Sequence, residues 1–465
     1  MSSKLTIILF GIALFCLLRI SSPPENLTYN GWLIANLLFL MTLWWLTQAV
    51  PLSITALLPI ILVPILSDID IKDVTKPYAN PIIFLLLGGF IIAQGLEKSF
   101  LHKRIALRIL LFLGSNKDSI LSGFIISTSF LSMWLSNTAT CLLMLPIAIS
   151  ILEKIKQDGE FKKILFLSIA YSSSIGGMAT LIGTAPNAIL AGYLTENFNL
   201  ELSFFNWMLF SLPLVVFLLF SLWTYFKFFI PHSNNDLLSK NIIEDQYQDL
   251  GQMLFREKIA LFIIVLTIFL WVLKKQINIV FDLNISDTNI AIFGAVLFFL
   301  IPVGKNKFIL EIDWFKEIPW NILLLFGGGL SLASLVTSSG LAVWLGDFLF
   351  FLNTFNLLLI ILSVALLISL LTEITSNTAT TLLFLPIVMS FASSNNLDIL
   401  NVALPVVLAA SCAFMMPIAT PPNAIVFSQN IMTISYMARI GFFMNIIAIF
   451  ISSVWIYFCS SIIKI

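Results

Sequence analysis

The segment SNTATCLLMLP, Ser136 to Pro146, returns as SNTATTLLFLP, Ser376 to Pro386, 240 residues further along the chain. Aligning 135–150 with 375–390 gives 11 identities in 16 positions, and the polar residues are among those kept. Any fold for this chain must hold two similar units, each with a short, uncharged, polar break between apolar runs.

The surroundings of the breaks decide the solvent. Residues are 59% hydrophobic and 10% charged, and mean hydropathy is +1.02, which no soluble domain of this length shows. Runs at 7–18, 82–93, 259–273, 290–302, 357–371 and 446–458 match or approach the ~20 apolar residues that carry a helix across a bilayer. Short alternating strands of the β-barrel kind are not found, so the expected class is an all-α polytopic membrane protein. Lys4 precedes the first run, but no small-x-small cleavage site follows before Arg19. Bulky Phe15 before Cys16 argues against a lipoprotein site, and the run is read as a retained first helix.

Several function classes lose their raw material at this point. Cys16, Cys141, Cys412 and Cys459 lie in apolar segments without CxxC spacing, and His102 and His232 stand beside charged or polar turns. Neither a zinc site nor histidine-based catalysis is suggested, and a formal net charge of zero argues against a nucleic-acid partner.

The repeat extends beyond the pentapeptide. Asp73 to Pro77 followed by FLLLGGF (84–90) parallels Asp313 to Pro319 followed by LLLFGGG (323–329). TAPNAI (184–189) then parallels TPPNAI (420–425), so the chain reads as two copies over about 30–231 and 255–465, joined by the polar stretch 231–258. The glycine pairs fit close helix packing better than a phosphate cradle, because no Lys with Ser or Thr follows in P-loop spacing. Lys98 to Lys163 holds nine Lys and Arg residues, whereas none lies between Lys316 and Arg439. By the positive-inside rule the first SNTAT segment enters from the cytoplasm and the second from outside, which makes the copies inverted.

Each polar break has a physical reading. Ser, Asn and Thr favour caps and turns over helix interiors, so SNT is expected at the tip of a re-entrant helical hairpin. Such a tip is tolerated at membrane depth where it lines a watery cavity or is buried in protein. The returning helix offers unpaired N–H groups and a positive dipole end to an anion. Pro186 leaves the carbonyl of Ile182 without a helical partner, and Pro421 and Pro422 do the same for Pro417 and Ile418. GTAPN and ATPPN are thus expected to be unwound, with free carbonyls suited to a small cation, as in ion-coupled carriers.

In these residues the chain resembles the divalent anion:sodium symporter family, whose SNT signature occurs twice, each copy followed by a (T/A)PN turn. The resemblance implies an elevator-type fold with about 11 transmembrane helices plus two re-entrant hairpins. Scaffold parts would cover 1–115 and 232–352 and transport parts 116–231 and 353–465, in a multi-pass protein of the cell membrane with a cytoplasmic N-terminus and a homodimeric assembly. Na⁺ would be the coupling ion, with no organic cofactor. One sodium site would match Ser132, Ser136, Asn137 and the Gly183 carbonyl, and the other Thr372, Ser376, Asn377 and the Ala419 carbonyl. The dianion would touch Ser136, Asn137, Thr138, Thr184, Ser376, Asn377, Thr378 and Thr420, with Pro421 packed nearby. The first turn departs from the family's usual pair of prolines, having Ala185 before Pro186, and this weakens the Thr184 assignment.

The expected function is sodium-driven, electrogenic import of a C4-dicarboxylate such as succinate, fumarate or malate. A sulfate or citrate carrier, or an exchanger not driven by sodium, is the alternative. An intramembrane enzyme would need an acid pair, Ser–His or zinc constellation that the apolar segments do not contain. Glu373, four residues before Asn377, is the carboxylate expected nearest the site, placed either in the machinery or facing water at the hairpin's edge. Residues 98–108 read as an amphipathic helix at the cytoplasmic interface.

Overall fold

Caps and left-handed exits set where the helices of the computed structural model begin and end. It describes residues 3–114, 116–155, 159–229, 240–305, 307–347 and 355–462. In chain order the first part comprises α1 (Ser3–Ile20), α2 (Tyr29–Thr47), α3 (Leu52–Thr55), α4 (Leu58–Leu66), α5 (Ile71–Thr75), α6 (Pro81–Ser99) and α7 (Leu101–Leu113). It continues with α8 (Lys117–Ser132), α9 (Asn137–Ile155), α10 (Gly159–Gly177), α11 (Ala185–Phe198) and α12 (Phe204–Lys227). After α13 (Lys240–Asp249) come α14 (Phe255–Phe281), α15 (Asp287–Leu300), α16 (Trp320–Ser338) and α17 (Leu341–Asp347). The last elements are α18 (Leu357–Thr372), α19 (Asn377–Ser394), α20 (Ile399–Ala410), α21 (Pro421–Phe427) and α22 (Ile434–Cys459). The run α16–α22 repeats the order of α6–α12, with Pro146 of α9 matched by Pro386 of α19.

The described residues are all helical apart from turns and one isolated bridge, Gly304 to Lys307. Among the described residues, six helices are long and apolar enough to cross a membrane by length and composition, including Tyr29–Thr47, Phe204–Lys227 and Trp320–Ser338. Shorter apolar helices include Asp287–Leu300, Leu357–Thr372 and Ile399–Ala410. Sequence signals explain many of the ends. Thr28, Asn116, Ser203, Ser286 and Thr433 each accept a hydrogen bond from a first-turn N–H and so start α2, α8, α12, α15 and α22. Left-handed exits at Gln48, Asn199 and Asp282 stop α2, α11 and α14.

The glycine pairs serve packing. A Cβ on Gly88 would stand 2.8 Å from the backbone of Ala291, so α6 and α15 touch along their main chains there. Gly328 lies harder still against Ala56, whose carbonyl oxygen would stand 2.0 Å from a Cβ.

The basic stretch differs from the single interfacial helix expected over 98–108. Phe100, with φ 65°, breaks it, so Lys98 lies in the last turn of α6, which ends at Ser99, and α7 begins at Leu101. Arg104 is buried, donating from Nε to Glu257 Oε1 at 2.8 Å and from Nη1 to the Gly251 carbonyl at 3.1 Å. That clasp fastens α7 to the start of α14. Part of the expected linker is the helix α13, whose Gln246 donates to Ser150 Oγ on α9 at 2.8 Å. The expected domain edges at 115, 231–232 and 352–353, together with Lys156 and His232, fall outside the described residues.

Candidate functional site

Both SNT segments break a helix. α8 stops at Ser132 and α9 starts at Asn137; α18 stops at Thr372 and α19 starts at Asn377. The carbonyls of Ser136 and Ser376 accept the first helical bonds, from the N–H groups of Thr140 (3.0 Å) and Thr380 (2.9 Å), so each serine stands at the N-cap. The PN turns break helices too. Residues between Gly177 and Ala185, and between Ala410 and Pro421, are unwound, with each proline in the first turn of the half-helix that follows.

Behind each tip, oxygens outnumber protons. Ser132 Oγ lies 2.6 Å from Asn137 Oδ1 and 2.7 Å from the Ser173 carbonyl. Thr372 Oγ1 lies 2.7 Å from Asn377 Oδ1 and 3.1 Å from the Ala410 carbonyl. One hydroxyl carries one proton and can satisfy only one acceptor at a time, so each triplet retains lone pairs for a hard cation. At the first tip the cluster extends through Gly177. A Cβ there would stand 2.5 Å from Asn137 Oδ1 and 3.0 Å from the Gly183 carbonyl, a gap that only glycine leaves open. These donors fit a sodium ion held by Ser132, Asn137 and Gly183. The second set brings Thr372 and Asn377 together with Ala410, and places Ala419 on the wall of the cavity in front.

That cavity, of about 620 Å³, is lined by all nine residues expected to meet the dianion: Ser136, Asn137, Thr138, Thr184, Ser376, Asn377, Thr378, Thr420 and Pro421. Gly183 and Ala419 line it as well, whereas Ser132 and Thr372 are buried behind the tips. No ionisable side chain is among its described lining residues. Sequence reasoning missed the opposite wall, built by Gln48, Leu52 and Ser53 after α2, Phe90 of α6, and Asn321, Ile322 and Phe326 of α16. The missed carbonyls of Ser173 and Ala410 have no side-chain signature.

The two halves cross. α11 packs on α19, and α21 packs on α9, so each proline turn meets the hairpin of the other half. Their caps differ in a crossed pattern. Ser136 Oγ accepts from Ala139 N at 3.2 Å and Thr420 Oγ1 accepts from Asn423 N at 3.2 Å, whereas neither Ser376 nor Thr184 caps its helix with its side chain. The uncapped starts of α19 and α11 leave N–H groups free for an anion.

Glu373 does not face water. It is buried, and Oε1 accepts from Phe414 N (2.8 Å), Met415 N (2.9 Å) and Asn445 Nδ2 (2.7 Å), while Oε2 accepts from Met416 N at 2.9 Å. The carboxylate grips the unwound stretch that leads to Ala419 and Thr420.

Taken together, the helical fold, the paired tips and the neutral cavity describe a multi-pass membrane protein with a central polar, uncharged binding space. The family model for the sodium:sulfate symporter transmembrane region matches residues 2–463. The chain belongs to this family, the divalent anion:sodium symporters. It is 39% identical over 468 residues to the sodium-dependent dicarboxylate transporter SdcS of Staphylococcus saprophyticus, covering 97% of this chain and 90% of that protein. Identity to SdcS of Staphylococcus aureus strain USA300 is 36%, with the same coverage. The solved structure of the Alcanivorax borkumensis YdaH transporter has the same fold, with a TM-score of 0.57 at 11% identity over 98% of this chain and 97% of that one.

Proposed function

We propose that the protein is a sodium-coupled secondary transporter that imports C4-dicarboxylates such as succinate, fumarate and malate, electrogenically, with several Na⁺ per dianion. The observation that carries this reading is the pair of proton-poor oxygen clusters behind a cavity with no ionisable lining. A dianion there has neutral donors, two uncapped helix starts and whatever cations the clusters hold. The chain's likeness to transporters named for sodium-dependent dicarboxylate transport points the same way.

In this reading, Ser132, Ser136, Asn137 and Gly183 hold one sodium ion and Thr372, Ser376, Asn377 and Ala419 the other. The dianion bridges the tips through the nine cavity residues. Segments 116–231 and 353–465 form the moving part, consistent with α8 packing on α10, α18 on α20, and the crossed pairs α11–α19 and α21–α9. Segments 1–115 and 232–352 form the scaffold and carry the homodimer contact. The copies are inverted, on the lysine asymmetry, and the N-terminus is cytoplasmic in the plasma or inner membrane. Lys98 of the basic stretch pairs with Glu317 just before α16, so by the same rule the start of α16, with Asn321, lies toward the cytoplasm.

Liposomes containing the purified protein should accumulate labelled succinate only under an inward Na⁺ gradient. Uptake indifferent to Na⁺ and driven by a pH gradient would overturn the coupling. The family's sodium:sulfate description favours sulfate as the second reading. Thermal stabilisation by succinate, malate, citrate and sulfate, each with and without Na⁺, separates the two, because a bound ligand raises the melting temperature by mass action.

A further inference from the structure

Each proline turn carries an asparagine to which the proposed function gives no role. Asn187 and Asn423 follow Pro186 and Pro422 and are fully buried. Asn187 Nδ2 donates to the carbonyls of Gly177 (3.3 Å), Met178 (3.2 Å) and Thr180 (2.7 Å). Asn423 Nδ2 donates to those of Ala413 (3.0 Å) and Met416 (3.1 Å). The acceptors correspond: in both halves they lie ten and seven residues before the asparagine.

An amide surrounded by carbonyls can present only its NH₂ group, so the orientation is fixed on both sides. Both Oδ1 atoms are buried without a hydrogen-bond partner. A buried acceptor without a donor is unfavourable, and the chain tolerates it at the same place twice. What both positions retain is the donor. Capping does not explain it, because Thr420 caps α21 with its hydroxyl and α11 has no side-chain cap at all.

The carbonyls so gathered belong to the unwound stretches that carry Gly183 and Ala419. Carbonyl dipoles that converge on one point repel one another, and a two-proton donor at their centre sets their spacing. At the first tip the link is direct: the Gly177 carbonyl accepts from Asn187, and Gly177 lies against Asn137 Oδ1 and the Gly183 carbonyl. Neither asparagine lines the cavity.

We propose that Asn187 and Asn423 are positioning residues for the two sodium sites: each holds the unwound carbonyls of its own half in place, and so sets sodium affinity without touching the dianion. The proposal rests on the sodium-coupled reading above, and the experiment separates the two. Wild-type protein in liposomes is measured first for Na⁺-dependent succinate uptake; its absence would remove the coupled reading and this inference with it. With that dependence in hand, Asn187→Ser keeps one donor and Asn187→Ala keeps none, and Asn423 is treated alike. The half-saturating Na⁺ concentration should rise about threefold in the Ser variants and about tenfold in the Ala variants, in step with the donors lost. Half-saturating succinate at saturating Na⁺ should stay within about twofold of wild type, because no cavity wall has changed. Unchanged Na⁺ half-saturation in a Ser variant that melts like wild type would overturn the proposal. So would a parallel loss of sodium and succinate affinity, the mark of general loosening. If the Ala variants fail to fold, the Ser variants decide.

Discussion

Behind the second tip, Glu373 accepts hydrogen bonds from three successive backbone N–H groups; behind the first, the residue at the same offset is Met133. The first unwound stretch has no carboxylate at that position. Its carbonyls are taken by donors, Trp207 Nε1 to Met178 at 3.0 Å and Ser211 Oγ to Ala179 at 2.9 Å. Thr180 fastens it to the hairpin, donating to the Met133 carbonyl at 2.7 Å and accepting from Gly183 N at 3.0 Å. Both loops have carbonyls taken by side-chain donors, Tyr171 Oη to Phe414 at 2.7 Å in the second, but among the described residues a carboxylate grips the N–H groups of the second loop alone. At the tips themselves, Ser132 with Asn137 and Thr372 with Asn377 keep the same spacing. The geometry facing the cavity is held in common by the two halves, while the chemistry that supports it has diverged.

That contrast is open to attack, beginning with its largest expected effect. Glu373→Gln turns an amide NH₂ toward backbone donors and should cost about 3 kcal/mol or more, with a lower melting temperature and at least about tenfold less uptake. Met133→Leu should stay within about 1.5 kcal/mol of wild type. Equal melting shifts in the two variants would erase the difference in support. On the proposed sodium sites, Asn137→Ala and Asn377→Ala should each reduce Na⁺-driven uptake by about a hundredfold. A tip whose Asn can be lost without change in sodium dependence would not hold an ion.

The crossed caps give smaller effects. Ser136→Ala should lower stability by about 1 kcal/mol because it removes a cap, whereas Ser376→Ala should leave the melt unchanged and raise half-saturating succinate. The turn pair should behave alike, with Thr420→Ala costing about 1 kcal/mol and Thr184→Ala, the smallest effect, near zero in stability. Thermal melts of the four proteins check the pattern, and the opposite ranking in either pair would break it.

The breaks were legible in the sequence because Ser, Asn, Thr and Pro act locally. Their effect on a helix depends on their own backbone groups, so the ends at Ser132, Asn137, Thr372 and Asn377 follow from composition. Support is non-local and was not legible. Nothing in the chain announces that Glu373 meets Phe414 and Asn445, or that Arg104 meets Glu257. Two buried charged residues found partners far away in sequence, and no pattern of spacing encodes that distance. The Phe100 break was hidden for another reason, since a bulky residue at positive φ contradicts its own preference. The cavity's far wall escaped because Gln48 and Asn321 are ordinary helix-end polar residues until the fold brings them across from the tips.

The lack of ionisable groups in the cavity lining bears on kinetics as well as affinity. Fixed countercharges at a mouth draw in an ion along focused field lines, and such capture slows steeply as salt screens it. A dianion approaching this cavity meets no such charge among the described residues of its walls. Its encounter rate should change little when inert choline chloride is added at constant Na⁺. Capture is then a matter of diffusion, and retention depends on the cations that arrive alongside it.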